Sequence, residues 1–251
     1  ADLLVSSCLG VEIGFGWVFA IIAGAAILFL ALFAVGNILK IEKYGSNTQA
    51  AGQLSTLLLP VETGIEAGKT SLITFPDITR VINRCNREGP FGSQEISVSM
   101  RSGVGNEWEK PGASSISYNK YIFSTAITEG KEDVLFSKPF SLPFKVADII
   151  YLWPSSKKYC FVEPPIDVEK EIEDLKPKGI NVTQDKRKCS DGAVVVCFAS
   201  TGCDVDVYIQ SQMVRKQRQN LYYGVGYTSE DRNALLYAAI FSEPAIYECQ
   251  F

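Results

Sequence analysis

The chain has 251 residues, enough for one or two domains, and its 24 Lys and Arg against 28 Asp and Glu give a net charge of −4. It contains no His, which excludes Ser-His-Asp and Cys-His catalytic arrangements, His-ligated metals and His-based pH switches. The mildly acidic balance gives no basic footprint for nucleic acid, yet the mean hydropathy is +0.09 with 21% charged residues, so apolar residues must be concentrated in one part of the chain.

The first predicted element is a long apolar helix. From Ile13 to Leu39 no residue is charged, and about 20 apolar residues suffice to cross a bilayer. The run is apolar around its whole circumference, unlike an amphipathic surface helix, and a buried core helix is the alternative. Trp17 near one end fits interfacial anchoring. Residues 1–44 are therefore predicted to hold one transmembrane helix, roughly over residues 11–40, that is retained rather than cleaved as a secretory signal.

The head of this helix is predicted to pack against other helices. Gly16, Ala20 and Gly24 stand four residues apart on one face. Small residues in this arrangement let a second helix approach closely, and in a single-pass protein that helix belongs to another chain. The alternative is that Gly is simply frequent in membrane helices. Glu12 is costly in lipid unless it lies at the interface or finds a partner, for example the amino terminus of an adjacent subunit.

Residues 45–62 are predicted to form a helical stalk after a break at Tyr44-Gly45, and residues 63–251 a β-rich domain. Short runs rich in Val, Ile, Tyr and Phe alternate with Gly and Pro, as expected for an antiparallel sheet or sandwich. The predicted strands lie at 71–75, 95–100, 115–127, 180–183, 193–199 and 204–209. Two helices are predicted at 166–176 and 229–241. The expected fold class is α+β, with a long N-terminal transmembrane helix before a sandwich-like, disulfide-braced extracytoplasmic domain.

Six cysteines follow the apolar helix, and an even number predicts disulfides. Paired C-x₂-C spacing and His partners are both missing, which argues against a metal site. Six cysteines allow 15 pairings, and the sequence does not choose among them. The disulfide candidates are Cys85, Cys160, Cys189, Cys197, Cys203 and Cys249.

The cysteines also bear on orientation, because disulfides persist in oxidising compartments. They favour an extracytoplasmic domain. Lys40 and Lys43 after the helix indicate the opposite orientation, but long domains translocate largely regardless of flanking charge. The sequon that begins at Asn181 makes this residue a glycosylation candidate and agrees with an outside location. Cys8 is predicted to be a small apolar residue.

No motif indicates an active site. TGIEAGKT (63–70) lacks the first Gly of a phosphate-binding loop, and no strand is predicted before it. The acidic pairs Glu169/Glu173 and Glu171/Asp174 are interpreted as the solvated face of a helix rather than as an acid–base pair. We therefore predict no enzyme activity, no cofactor and no metal.

The segment LGVEIGFGWVFAIIAGA (9–25) resembles the N-terminal region of archaeal type IV pilin-like proteins, which carry a class III signal peptide. This resemblance implies a leader cut just before the helix and helices that bundle into a filament core. Glu12 lies deeper in the chain than the pilin pattern implies. Together with 141–152, 194–207 and 234–249, the helix also resembles a group of uncharacterised single-pass membrane proteins from small-genome archaea, a likeness that implies no activity.

Two functions remain as hypotheses. The first is a structural subunit of a pilus-like filament or membrane oligomer, with the helices as its core and the β-rich domain displayed outside. The alternative is a single-pass membrane-anchored surface adhesin, receptor or secretion-complex component. The predicted partners are other copies of the N-terminal helix, membrane lipid, and a cell-surface or host-cell partner, but not nucleic acid. The predicted location is the cell membrane or an extracellular filament, with the C-terminal domain outside.

Overall fold

The structure, a computed structural model, describes residues 15–57, 70–86, 93–101, 107–118, 121–141, 144–198, 206–216, 218–224 and 228–250. It is mixed α/β, with an N-terminal apolar helix and a β-rich domain. The chain forms two compact units, Ala1–Lys43 and Tyr44–Phe251.

Helix α1 runs over Phe15–Leu57. The predicted break at Tyr44-Gly45 is wrong, because helical hydrogen bonding continues through both residues. Within α1, Gly16–Ile38 is long and apolar enough to cross a membrane, and it is the one such helix among the described residues. The predicted apolar helix is therefore confirmed as a helix, and the glycines within it do not interrupt it.

In the part of the chain that the structure describes, twelve strands and three further α-helices follow α1. The helices are α2 (Ile166–Leu175), α3 (Ser229–Phe241) and α4 (Pro244–Gln250). The strands are β1 (Thr70–Cys85), β2 (Gln94–Met100), β3 (Ser115–Ser117), β4 (Tyr121–Phe123), β5 (Ile127–Ser141), β6 (Lys145–Pro154), β7 (Tyr159–Val162), β8 (Ile180–Thr183), β9 (Val194–Cys197), β10 (Val207–Gln210), β11 (Met213–Lys216) and β12 (Gln219–Tyr222). Each predicted strand overlaps at least one of these, and both predicted helices are confirmed.

The strands form two sheets. Sheet 1 has the order β3-β2-β1-β5-β6-β4 and is antiparallel except where β4 pairs with β6. Sheet 2 has the order β12-β11-β10-β9-β7-β8. Four of its six strands, β10, β9, β7 and β8, pair in parallel. The prediction of an antiparallel sandwich is therefore wrong for sheet 2. Helix α2 connects β7 to β8 as a crossover, and such a connection returns the chain to the same end of the sheet.

Helix α3 lies in the core that the two sheets share. It contacts β5 and β6 of sheet 1 and β11 of sheet 2. Every residue from Asn233 to Phe241 is buried, so the helix has no solvated face along this stretch. Three alanines, at 234, 238 and 239, are 0% exposed and leave room for both sheets to approach. The two sheets therefore pack mainly against the helix between them rather than directly against each other.

The other face of sheet 1 packs against the C-terminal part of α1. Ala51 and Leu54 form a second apolar cluster with residues that alternate along the strands, such as Leu135 in β5. Thr48 Oγ1 accepts a hydrogen bond from the Ala113 amide at 2.9 Å. A Cβ on the neighbouring Gly112 would lie 2.3 Å from the Thr48 amide nitrogen, so only glycine permits this close approach.

Sheet 1 also buries a carboxylate, which gives a prediction about pH. Asp133 in β5 is 1% exposed, and Thr128 Oγ1 donates to its Oδ2 at 3.2 Å. Burial raises the pKa of Asp133 to about 6 from 3.8, against the opposing hydrogen bond. Since the unfolded chain loses this proton at lower pH, the folded state loses up to about 3 kcal/mol of stability as the pH rises from about 4 to 6.

We expect Asp133→Asn to remove this loss, so that its free energy of unfolding at pH 7 exceeds that of the unaltered protein. Urea denaturation at pH 4, 5, 6 and 7, followed by tryptophan fluorescence in mild detergent, measures the difference. Asp191→Asn is the control because Asp191 is exposed. An equal pH profile for Asp133→Asn and the unaltered protein would contradict the expected burial cost.

Candidate functional site

A cavity of about 390 Å³ opens at one end of sheet 2. The amino ends of the parallel strands β7, β9 and β10 meet at this edge, and the antiparallel β11 ends there. The cavity is lined by Lys157, Tyr159, Val194, Asp206, Val207, Lys216 and Arg218. Three of these seven residues are cationic, which is unusual in a chain with a net charge of −4.

Lys216 is the most buried cation of this group, at 7% exposed. Its Nζ donates to Ile240 O at 2.8 Å and to Ser242 O at 2.7 Å, at the C-terminal end of α3. Unpaired carbonyls and the negative end of the helix dipole favour a cation at this position. Burial lowers the pKa of Lys216 to about 7, with a further contribution from nearby Lys157 and an opposing one from Glu243.

Tyr159, the first residue of β7, lines the same cavity and carries a buried hydroxyl. The residue is 1% exposed, and its hydroxyl has no hydrogen-bond partner within the described part of the chain. Burial raises the pKa of this hydroxyl, so it is a neutral donor. A buried hydroxyl without a partner costs free energy, and such groups are few in folded proteins.

The remaining charged residues of the cavity are nearer to solvent. Asp206 is exposed, and its Oδ2 accepts a hydrogen bond from the Val195 amide at 3.2 Å. Arg218 is exposed and has a positive φ of 66° in the turn between β11 and β12. Lys157 is half-buried, and burial lowers its pKa while Glu243 opposes this. Lysines and arginine therefore exceed the single carboxylate that lines the cavity.

A second polar cluster joins α2 to α3 and β5. Lys138 in β5 pairs with Glu171 in α2, and their side chains are 5% and 17% exposed. Glu171 Oε2 also accepts from Tyr237 Oη at 3.0 Å and from Asn233 Nδ2 at 3.4 Å. The interpretation of Glu171 as part of a solvated face is therefore wrong. Its charge is neutralised by Lys138, so this cluster ties three elements together.

The predicted helix-packing residues do not contribute to either site. Gly16, Ala20 and Gly24 lie on α1 and are exposed. A Cβ on either glycine would meet no atom of the protein within 4 Å. Glu12 lies outside the described residues. Partners for the small-residue face remain a prediction.

Two disulfides are described. Cys85 at the end of β1 is bonded to Cys249 in α4, and Cys160 in β7 is bonded to Cys189 after a short 3₁₀ turn. Cys197 is disulfide-bonded as well. Cys203 and Cys8 lie outside the described residues. The prediction that these cysteines form disulfides is confirmed for the two described pairs.

Asn181 lies on β8, which is an edge strand of sheet 2, and its side chain is exposed. This position leaves the amide accessible, while its glycosylation remains a prediction. Among the described residues, no group of three or more Cys, Asp and Glu side chains could hold a metal ion.

The cavity residues were not predicted from the sequence, although one signal points to Lys216. In MVRK (213–216), period-two alternation puts Lys216 on the same face as the buried Val214. The other lining residues come from β7, β9, β10 and the residue before it, and the β6–β7 and β11–β12 connections. The chain matches no protein-family model, no curated protein and no solved structure.

Proposed function

We propose that this chain is a membrane-anchored structural subunit that assembles through α1 and displays the domain of residues 44–251 outside the cell membrane. The observation that carries the proposal is that the two parts of α1 have different surroundings. Its segment Gly16–Ile38 is apolar and exposed, whereas Ala51 and Leu54 of the same helix pack against sheet 1.

The exposed segment needs an apolar environment such as lipid or another helix. Trp17, Phe29 and Leu32 are 70%, 69% and 66% exposed. A continuous apolar surface of this kind is unfavourable in water and is normally covered by lipid or by other protein. Its length exceeds the roughly 20 residues that a bilayer requires.

The small-residue face gives the segment a means of self-association. Among the described residues, no atom lies within 4 Å of a Cβ placed on Gly16 or Gly24, which leaves this face open to a neighbouring helix. In lipid, helices associate through packing rather than through the hydrophobic effect, and small residues permit the closest packing. The resemblance to archaeal type IV pilin-like proteins supports the same role, since their helices bundle into a filament core.

The disulfides support an outside location for the folded domain. Cys85–Cys249 and Cys160–Cys189 would not persist in a reducing cytoplasm. Both bonds lie in the unit that follows α1's apolar segment. A domain braced in this way suits a surface-exposed subunit.

The assembly role predicts that Gly16→Ile combined with Gly24→Ile weakens self-association roughly tenfold or more, because the added side chains keep neighbouring helices apart. Sedimentation in mild detergent measures the association, and electron microscopy shows whether filaments form. The folded domain should keep its thermal stability, since both glycines belong to the other compact unit of the chain.

Gly36→Ile is the matched control for this experiment. Gly36 has nothing within 4 Å of an added Cβ, as do the two stripe glycines. At about 100° per residue it lies roughly 160° around the helix from the centre of the stripe. Normal assembly of the double variant, or equal weakening by the control, would contradict assembly through this face.

A membrane-anchored adhesin, receptor or secretion-complex component is the second candidate. The cationic cavity of sheet 2 favours it, because a purely structural subunit has no use for a buried hydroxyl and three cations around open space. This candidate predicts a protein that stays monomeric in mild detergent and binds its partner through residues 44–251.

A further inference from the structure

We propose that the cavity at the end of sheet 2 binds a small ligand through a tetrahedral oxyanion, either a phosphate or a sulfate group. This role goes beyond assembly, since it concerns a site in the folded domain and needs no second copy of the chain. It depends on three properties of the cavity, namely its charge, its unsatisfied donors and its size.

The charge of the cavity favours an anion. Lys157, Lys216 and Arg218 line it, and Asp206 is the carboxylate among the lining residues. The Asp206 carboxylate already accepts a hydrogen bond from the Val195 amide, so part of its hydrogen-bonding capacity is used. Glu243 follows α3 and acts on Lys157 and Lys216 from outside the lining residues. Below about pH 7, where the Lys216 ammonium is protonated, three cations against two carboxylates leave one positive charge in excess.

The donors of the cavity are not used up by the protein. The Tyr159 hydroxyl is buried and has no partner in the described part of the chain. Lys216 donates two of its three ammonium protons to Ile240 O and Ser242 O, which leaves the third. An oxyanion in the cavity would accept from both groups and remove the cost of the unpaired hydroxyl.

The carbonyls of Ile240 and Ser242 also fix the position of Lys216. A lysine held by two hydrogen bonds loses little further entropy when it binds a ligand. Arg218 and Lys157 are nearer to solvent and can admit or release the ligand. The site therefore combines one donor in a fixed position, Lys216, with two that can move, Lys157 and Arg218.

The size of the cavity limits the ligand. Its volume of about 390 Å³ lies near the lower end of the range of small-molecule sites, roughly 300–1,000 Å³. Val194 and Val207 supply apolar walls. A small phosphorylated or sulfated molecule fits this space, and a folded macromolecule does not. Four donor groups suit a tetrahedral anion with three or four oxygens better than a carboxylate with two.

The test is isothermal titration calorimetry of the full chain in an uncharged maltoside detergent, which carries no phosphate. Inorganic phosphate, sulfate and acetate are titrated separately at low chloride. We expect saturable binding of phosphate or sulfate with a dissociation constant on the order of 1 mM or lower, and at least roughly tenfold weaker binding of acetate.

Two pairs of variants test the location of the site. Lys157→Gln and Arg218→Gln should each weaken phosphate binding roughly tenfold or more, because each removes a charged donor. Lys158→Gln and Arg215→Gln are the matched controls. Lys158 is the exposed neighbour of Lys157, and Arg215 lies on the other face of β11, with its guanidinium 5.3 Å from the Tyr208 ring. Both controls should bind as the unaltered protein does.

Lys216→Met is not used alone, since loss of the bonds to α3 can prevent folding. Tyr159→Phe keeps the ring and removes only the hydroxyl, so it should fold normally and bind more weakly. No saturable binding of phosphate or sulfate up to about 100 mM would overturn the proposal. It would also be overturned by acetate binding as tightly as phosphate, or by equal losses in the test and control variants. Because sedimentation measures assembly separately, failure here is distinguishable from failure of the structural role.

Discussion

Replacing Cys85 and Cys249 together by serine should lower the free energy of unfolding of the oxidised protein by about 5 kcal/mol. The bond joins residues 164 positions apart, and a cross-link that closes a longer loop restricts the unfolded chain more. It ties the end of β1 to α4, two elements that contact each other in the folded domain. Urea denaturation monitored by tryptophan fluorescence measures the loss.

The Cys160–Cys189 bond is the matched comparison because its sequence separation is 29. The same chain-entropy relation gives a loss of about 3.5 kcal/mol for this pair. A larger loss from the shorter loop would contradict the ranking. Mass spectrometry adds a second check, because six alkylatable thiols in non-reduced protein would contradict the outside location of the domain.

Replacing Phe241 by alanine should cost about 4 kcal/mol of stability, which is enough to leave a marginal domain largely unfolded. Phe241 closes the C-terminal end of α3 and is 1% exposed. Its ring stacks on Trp153 of sheet 1 at 4.6 Å between centroids and meets Tyr159 of sheet 2 edge-on at 5.0 Å. One ring thus joins the two sheets.

Phe144→Ala is the control for this prediction, since Phe144 is 73% exposed. Its loss should stay within about 0.5 kcal/mol, as for most surface substitutions. Thermal denaturation followed by circular dichroism compares the two variants with the unaltered protein. A loss for Phe241→Ala close to that of Phe144→Ala would mean that α3 is not the link between the sheets.

Local signals were enough to predict α2 and α3, but not α4. The Thr228 side chain caps α3 by accepting a hydrogen bond from the Asp231 amide, and Glu230 and Asp231 occupy the first turn. These residue types mark the start of a helix in the sequence. The end of α1 was harder. Gly45 was expected to break the helix, but packing of Ala51 and Leu54 against sheet 1, with the hydrogen bond from Asn47 to Lys110 O, outweighs a glycine's cost of about 1 kcal/mol.

Strand β5 was not predicted beyond its first residue, because its charged residues and Pro139 interrupt the pattern expected of a strand. Proline cannot donate to a ladder and usually marks a sheet edge. Pairing between β1 and β5 stops at Phe136, so Pro139 faces β6 on one side and needs no donor on the other. Pro139 therefore costs the sheet no hydrogen bond to β1, and the local sequence pattern does not show this strand arrangement.

The candidate site could not be predicted because its residues are brought together by the topology of sheet 2. Lys157 and Arg218 are far apart in sequence, and only the parallel arrangement of β7, β9 and β10 places their ends at one edge. Parallel pairing was itself not expected. The buried position of Lys216 was the one part of the site that alternation along a strand could indicate.

The position of α3 in the chain has a consequence for biogenesis. All twelve strands that the structure describes precede this helix, yet it packs between both sheets. During synthesis the strands therefore emerge with their apolar faces uncovered, and the core cannot close until residue 241 has left the ribosome. Non-local pairing of this kind folds slowly and exposes strand edges to aggregation. Folding of the domain of residues 44–251 is therefore expected to wait until α3 is available to cover both sheets, so that the last part of the chain to be made decides whether the strands pair correctly or aggregate.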